Sequence, residues 1–216
     1  MSALVLKLIA AFTMLVDHAG LIVFGNALWM RTVGRLAFPL YAFFIAEGFR
    51  YTKSRRRYFL TIFLLGVFCQ AVAWIVEPGE ILNVLLTFSV SIALMALLEK
   101  AKDEPLYFAA FMAALAAVFL FTRYADIDYG FFGIILPLFP ACFNDLRWRH
   151  GAFSLGLLLL CANSALKGNY LQSVSLLSAL LLLFYNGKRG RYKMKYFFYV
   201  FYPLHLALLW GIAYLM

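Results

Sequence analysis

Charge is what this 216-residue sequence has least of: Asp, Glu, Lys and Arg make up 13% of it, about half the share in an ordinary soluble domain. So few charged side chains cannot clothe a soluble domain of this length, and the composition is that of a membrane protein. Cysteine is equally sparse. Cys69, Cys142 and Cys161 stand apart in apolar segments, without a CxxC pair or a Cys/His ligand spacing. That excludes a disulfide framework or a metal site and leaves buried packing as their expected role. Internal repeats, low-complexity tracts and linkers are missing, and so is room for a second module, so residues 1–216 read as a single integral-membrane domain. The opening MSALVLKLIAAFTMLVDHAGLIVF is too long for the apolar core of a signal peptide and has no clear small-residue cleavage site before its end. It reads as the first span.

What is abundant is apolar: 65% of the residues are hydrophobic and 19% aromatic. Stretches near the ~20 residues that cross a bilayer recur at about 4–25, 36–52, 57–76, 81–98, 106–123, 130–146, 151–166, 170–186 and 196–215. The predicted fold class is therefore all-α, a polytopic bundle of about nine transmembrane helices. The second segment is interrupted by Glu47. The sixth, YGFFGIILPLFPACF, is short and holds Pro137 and Pro140, which predicts a kink or re-entrant piece whose freed carbonyls neighbours must satisfy.

Basic residues set the predicted orientation, with the N-terminus cytoplasmic. Inner loops then hold Lys7; Arg50, Lys53, Arg55, Arg56 and Arg57; Lys100 and Lys102; Arg147 and Arg149; and Lys188, Arg189, Arg191, Lys193 and Lys195. Of the 19 lysines and arginines only Arg31, Arg35, Arg123 and Lys167 remain for the outer side, where Glu77 and Glu80 also fall. The basic loop before the last segment sends the C-terminus out, so the number of spans is odd. Divided among short loops, the +9 net charge forms no nucleic-acid motif, and nucleic acid is not an expected partner.

Asp17 and His18 break the first apolar run about two-thirds of the way across. A charge at the centre of a spanning helix costs about 2.5–3.5 kcal/mol on insertion scales, so such residues face the bundle interior and find partners. Neighbours on a helix point about 100° apart, so the two cannot stack on each other. Arg35, opening the next segment at similar depth, is the predicted partner of Asp17. That pairing neutralises the carboxylate and leaves His18 uncharged, as a general base should be.

Other candidates are less specific. Glu47 and Arg50, at i and i+3, fit an ion pair at a helix end or a substrate contact. Arg55, Arg56 and Arg57 read first as topology determinants and second as a grip for a polyanion. In YNGKRGRYKMKYFFYVFYPLHLALLW the glycines Gly187 and Gly190 permit close backbone approach to a ligand. His205, two residues after Pro203, either bonds a carbonyl freed by the kink or takes a direct part. Asp126 and Asp128 either meet a cationic acceptor or, the favoured reading, solvate an outer loop.

MLVDHAG, GRLAFPLYAFFIAEGFRYT, DYGFFGIIL, YNGKRG and KYFFYVFYPLHL, in that order from residue 14 to residue 206, together resemble the TraX family, named for a conjugative-plasmid protein associated with N-acetylation of pilin. The resemblance covers nearly the whole chain. It implies a polytopic acyltransferase of the bacterial inner membrane that takes acetyl groups from cytoplasmic acetyl-CoA and passes them to an acceptor at or beyond the membrane. It also implies an intramembrane histidine as catalytic base, here His18.

The expected function is acetyl-CoA-dependent O- or N-acyl transfer. His18 is the base and Asp17 orients it, with Arg35, Glu47 and His205 balancing charge or touching substrate. Arg50, Arg55, Lys188 and Arg189 are the candidates for the phosphates of coenzyme A, and no metal is required. Peptide, sugar and lipid acceptors all stay open. The alternative is a proton-coupled small-molecule transporter with Asp17, His18, Glu47 and His205 as its titratable path. Inverted repeats or paired broken helices would favour it, and the sequence shows neither.

Overall fold

A computed structural model of the chain describes residues 1–76, 81–192 and 194–216. Glu77, Glu80 and Lys193, assigned above to an outer and an inner loop, lie outside the described residues, as does the side chain of Lys195. Each of the nine apolar segments is helical, and among the described residues there is no β-strand, only an isolated bridge between Leu82 and Ile127. Helices α1 (Ala3–Ile22), α4 (Arg55–Val76), α5 (Val84–Ala101), α6 (Pro105–Tyr124) and α11 (Lys195–Leu215) are long and apolar enough to cross a membrane.

The remaining segments depart from simple spans. Helix α3 (Ala37–Tyr51) is short, and α9 (Leu146–Leu166) opens with Arg147, Arg149 and His150 in its first turn. The proline-bearing sixth segment is broken, as its sequence predicted, into α7 (Gly130–Ile135) and α8 (Leu138–Ala141). Ser91 Oγ donates to the Ile134 carbonyl at the break, 2.6 Å away, supplying the neighbour that an interrupted helix needs in lipid. The eighth segment is a 3-10 stretch (Tyr170–Leu176) running into α10 (Leu177–Leu183). Residues 28–34, read from the sequence as loop, form a short helix α2 (Leu28–Gly34).

The chain divides into two compact units. The first comprises Met1–Phe44 and Leu146–Met216, where α1 packs on α2 and on α11, and α9 on the 3-10 stretch and α10. Two glycines set the α1–α2 contact. A Cβ on Gly20 would sit 2.6 Å from Met30 Cβ, and one on Gly34 would sit 2.1 Å from Asp17 Oδ1; both are nearer than real Cβ contacts come, so any larger residue must push the helices apart. The α1 N-terminus is tied to the loop before α11: Ala3 N–H donates to the Lys188 carbonyl (2.9 Å) and Leu4 N–H to that of Arg189 (3.1 Å). Two stretches assigned to one side by the charge rule are thus hydrogen bonded to each other. Gly187 and Gly190 are both left-handed, but the space a Cβ on Gly190 would need is taken by Leu4 and Ser2 of the chain itself, at 2.8 and 3.0 Å. That glycine serves the docking of its own loop rather than a ligand.

The second unit comprises Ile45–Asp145 and is built round α5, which packs against α4, α6, α7 and α8. Asn83 caps α5, accepting from Leu85 N–H (3.0 Å) and Leu86 N–H (3.3 Å), while its Nδ2 donates to Gln70 Oε1 (2.9 Å) and the Gly66 carbonyl (2.9 Å). Gln70 Nε2 donates to the Ile81 carbonyl, so this intramembrane amide pair is consumed in joining α4 to the start of α5. Helix α6 buries only Phe111 and turns the rest of its apolar surface outward, the pattern expected of a helix facing lipid. Cys69 and Cys161 are buried as expected, but Cys142 is exposed at the end of α8, because the helix stops there and leaves its last turn uncovered.

Candidate functional site

The 100° step between Asp17 and His18 sends them to different neighbours, both in the first unit. Asp17 faces α2. Its Oδ2 accepts from Arg31 Nη1 at 2.7 Å and its Oδ1 from Arg35 Nη2 at 3.3 Å, so the expected Arg35 partner is present and a second guanidinium joins it. Arg35 Nη1 donates at 3.4 Å to Gln172 Oε1 on the 3-10 stretch. Asp17 and Gln172 are buried, and the carboxylate reaches this position because Gly34 leaves it room.

His18 faces α11. Its Nδ1 lies 2.7 Å from His205 Nε2, and the ring centroids are 4.9 Å apart with planes only 16° from parallel. With nitrogens so close, that separation describes two nearly coplanar rings joined edge to edge, not face-to-face stacking. The tautomers follow. His205 Nδ1 is 2.8 Å from the Phe201 carbonyl, which only accepts, so Nδ1 carries the proton and the neutral ring's Nε2 holds a lone pair. His18 Nδ1 must then donate to it, which leaves His18 Nε2 as the basic nitrogen. His205 therefore bonds a backbone carbonyl, but that of Phe201, four residues before it, and not the Tyr199 carbonyl whose helical donor Pro203 lacks; it orients a second imidazole as well, and Phe201, stacked on it at 4.9 Å and 8°, fixes its plane. Beside His205 runs an apolar groove of ≈ 260 Å³ between α1 and α11, lined by Leu15, Leu204, Leu208 and Ile212.

The other predicted residues fall elsewhere. Lys188 and Arg189 are exposed at the α1 N-terminal end of the first unit, about 22 Å along α1 from His18 at the helical rise of 1.5 Å per residue. His150 of the same unit, passed over in the sequence, packs against Phe43 and Tyr185 (5.4 and 6.2 Å between centroids) with its Nε2 buried and unbonded. Glu47, Arg50 and Arg55 belong to the second unit. Glu47 is buried. Arg50 donates to Asn144 Oδ1 (2.9 Å) and to the Phe143 carbonyl. Arg55 pairs with Glu99 (3.1 Å) and lies over the Phe49 ring. Asp126 is exposed, and its loop is held by backbone bonds between Leu82 and residues 126 and 128. Among the described residues no three His, Cys, Asp or Glu side chains gather as a metal site.

Five helices long and apolar enough to cross a membrane define a multi-pass α-helical membrane protein. The family model described as "TraX protein" matches residues 2–213, and the chain belongs to the TraX family. It is 30% identical over 236 residues to the "Probable fimbrial assembly protein FimC, serogroup H1" of Dichelobacter nodosus, a match that covers 96% of this chain and 94% of that one. No solved structure matches the chain.

Proposed function

We propose that the protein is an acetyl-CoA-dependent acyltransferase of the bacterial cytoplasmic membrane, with its N-terminus in the cytoplasm and His18 as general base. The observation that carries this reading is the His18–His205 pair, which leaves His18 Nε2 with its lone pair while the opposite ring nitrogen is held by a hydrogen bond. A base needs that arrangement: one nitrogen for the reacting proton, the other fixed so that the ring cannot turn away.

In the proposed step, His18 Nε2 takes the proton of an acceptor amine or hydroxyl as its N or O attacks the thioester carbonyl. The new C–N or C–O bond forms, the C–S bond breaks, and the departing thiolate of coenzyme A recovers the proton from the imidazolium. His205 disperses the transient positive charge through its hydrogen bond to His18 and is a positioning residue. Asp17, tied to Arg31 and Arg35, fixes the helix that carries the base. The thioester already activates the acyl group, so positioning and charge stabilisation are the remaining tasks of the protein.

Coenzyme A brings phosphates, and exposed Lys188 and Arg189 fit them; Arg50 and Arg55 are already held by Asn144 and Glu99 and are assigned a secondary part. A thioester arm reaching inward along α1 from that end would present its carbonyl to His18 in the other half of the bilayer. A proton-transport path through the same histidines is less well supported, because the His205 Nδ1–H ends on a carbonyl that has no proton to pass on. The name of the Dichelobacter nodosus relative makes a fimbrial subunit the first acceptor to test. Mass spectrometry of cell-envelope components with and without the gene should find an acetyl group lost from one component in the deletion and restored by the wild-type gene. An envelope with unchanged acylation would reject the reading.

A further inference from the structure

We infer that Arg56 and Arg57 bind the phosphate of an anionic phospholipid whose acyl chains run down the outward face of α4. The inference concerns the second unit alone and does not depend on acyl transfer.

The arginine triplet divides on folding. Arg55 is taken up within the protein, paired with Glu99 and laid over the Phe49 ring. Arg56 and Arg57 are exposed, and among the described residues neither guanidinium has an ion pair or a hydrogen bond. Nor does the surrounding sequence supply an acid, since residues 48–76 contain no Asp or Glu. The other basic loop of this unit is different: Lys100 lies over the Tyr107 ring at 5.0 Å, and Lys102 is followed directly by Asp103 and Glu104. Two adjacent guanidiniums with no counter-charge from their own chain suit the oxygens of a phosphate, which the guanidinium fork can hold with two bonds.

The helix shows what that phosphate is attached to. At 100° per residue, Arg56, Arg57, Leu60, Leu64, Val67 and Trp74 fall within an arc of about 100°, and all six are exposed. The buried residues of α4, Ile62, Gly66, Cys69 and Gln70, point away from that arc. The two arginines therefore head the face of α4 that its unit leaves uncovered. From Arg56 to Trp74 the axis runs about 27 Å at 1.5 Å per residue, close to the ~30 Å of a bilayer's hydrocarbon core. This places the arginines at one membrane boundary and Trp74 at the other, where tryptophans concentrate. A soluble anion would meet only the guanidiniums, whereas a phospholipid meets them with its phosphate and the apolar strip beyond with its chains. A zwitterionic headgroup would bring a cation of its own to the arginines, so charge selects the anionic class, of which phosphatidylglycerol is the probe.

The test uses the full chain purified in detergent, with phosphatidylglycerol or phosphatidylcholine added in defined amounts. Retained lipid is counted by native mass spectrometry, and the unfolding midpoint is followed by tryptophan fluorescence, since a ligand of the folded state raises it with concentration. The wild type should retain phosphatidylglycerol in preference to phosphatidylcholine and be stabilised by it, and the preference should fall as sodium chloride screens the contact. Arg56→Gln/Arg57→Gln should weaken phosphatidylglycerol binding by roughly tenfold or more, the fold-change expected of two basic residues at an anionic surface. Arg56→Lys/Arg57→Lys should keep most of the preference, and Lys100→Gln/Lys102→Gln should behave as the wild type. Should the double glutamine variant not fold, Arg57→Gln alone and the salt dependence decide. A wild type indifferent to the headgroup, a preference that salt does not touch, a glutamine variant that keeps it, or a Lys100/Lys102 variant that loses it equally would overturn the inference. Stabilisation by inorganic phosphate equal to that by phosphatidylglycerol would reassign the arginines to a soluble anion, and release of the retained lipid by coenzyme A would reassign them to the coenzyme; either result overturns it too.

Discussion

Replacing Asp17 by Asn removes one negative charge while changing shape very little, so its effect isolates electrostatics. The carboxylate touches Arg31 at 2.7 Å and Arg35 at 3.3 Å, with side-chain exposures of 12% for Asp17, 20% for Arg31 and 11% for Arg35. Removing one partner of a buried ion pair costs about 3–5 kcal/mol, because the other charge is left uncompensated. Here two guanidiniums would face each other, but Arg31 is partly exposed, so the lower figure, about 3 kcal/mol, is the better expectation. At about 2–4 °C per kcal/mol for a chain of this size, the unfolding midpoint should fall by roughly 6–12 °C. Arg31→Gln alone should cost less, since it leaves a neutral Asp17–Arg35 pair. The double variant Asp17→Asn/Arg31→Gln restores the original net charge of the cluster and should be more stable than Asp17→Asn by about 1 kcal/mol or more, a coupling that additive effects cannot produce. Thermal unfolding in detergent, followed by tryptophan fluorescence, reads all three. An Asp17→Asn protein that melts with the wild type, or a double variant no better than the single one, would refute the reasoning.

Gly34→Ala should destabilise the protein by about 1–3 kcal/mol through overpacking against Asp17, while Gly151→Ala, with nothing within 4 Å of a new Cβ, should leave the midpoint within about 0.5 kcal/mol of wild type; equal effects in a melting experiment would discount the α1–α2 contact. His205→Gln, whose amide oxygen still accepts from His18 Nδ1, should keep most of the acyl-transfer rate, whereas His205→Leu should lose about tenfold, the value of one orienting hydrogen bond; equal loss in both would deny His205 a positioning role. Exposed Cys142 should react with a membrane-impermeant maleimide in inside-out vesicles and resist it in intact spheroplasts, while buried Cys161 resists in both; labelling of Cys142 from outside would reverse the orientation.

The helical framework was legible because lipid demands long apolar runs, and the broken sixth segment because prolines announce themselves. The Asp17–Arg35 pair was legible for a related reason: a carboxylate in a span needs a cation, and few cations were left for that side. Arg31 was in the same small group, but it sits on a helix of seven residues whose LWMRTVG sequence has too few residues to show a periodicity. Gln172 left still less trace. An uncharged polar residue near the start of the apolar segment 170–186 has no pattern of its own, and only the 3-10 turn that buries it brings it to Arg35. The His18–His205 contact joins residues 187 apart in sequence, a pairing without any local signature. Gly190 was recognised as special for the wrong reason, since the space it leaves is taken by Ser2 and Leu4 at the far end of the chain.

The central claim is that His18 Nε2 removes the acceptor proton during acyl transfer. The most direct measurement is release of free coenzyme A thiol from acetyl-CoA by the purified protein in proteoliposomes with a fimbrial-subunit peptide as acceptor, for the wild type and His18→Ala in parallel, with coenzyme A binding measured on both. The wild type should turn over, and His18→Ala should bind coenzyme A equally well yet react about 10²–10⁴-fold more slowly, the usual contribution of a general base. A His18→Ala protein that binds coenzyme A and transfers acetyl at the wild-type rate would contradict it.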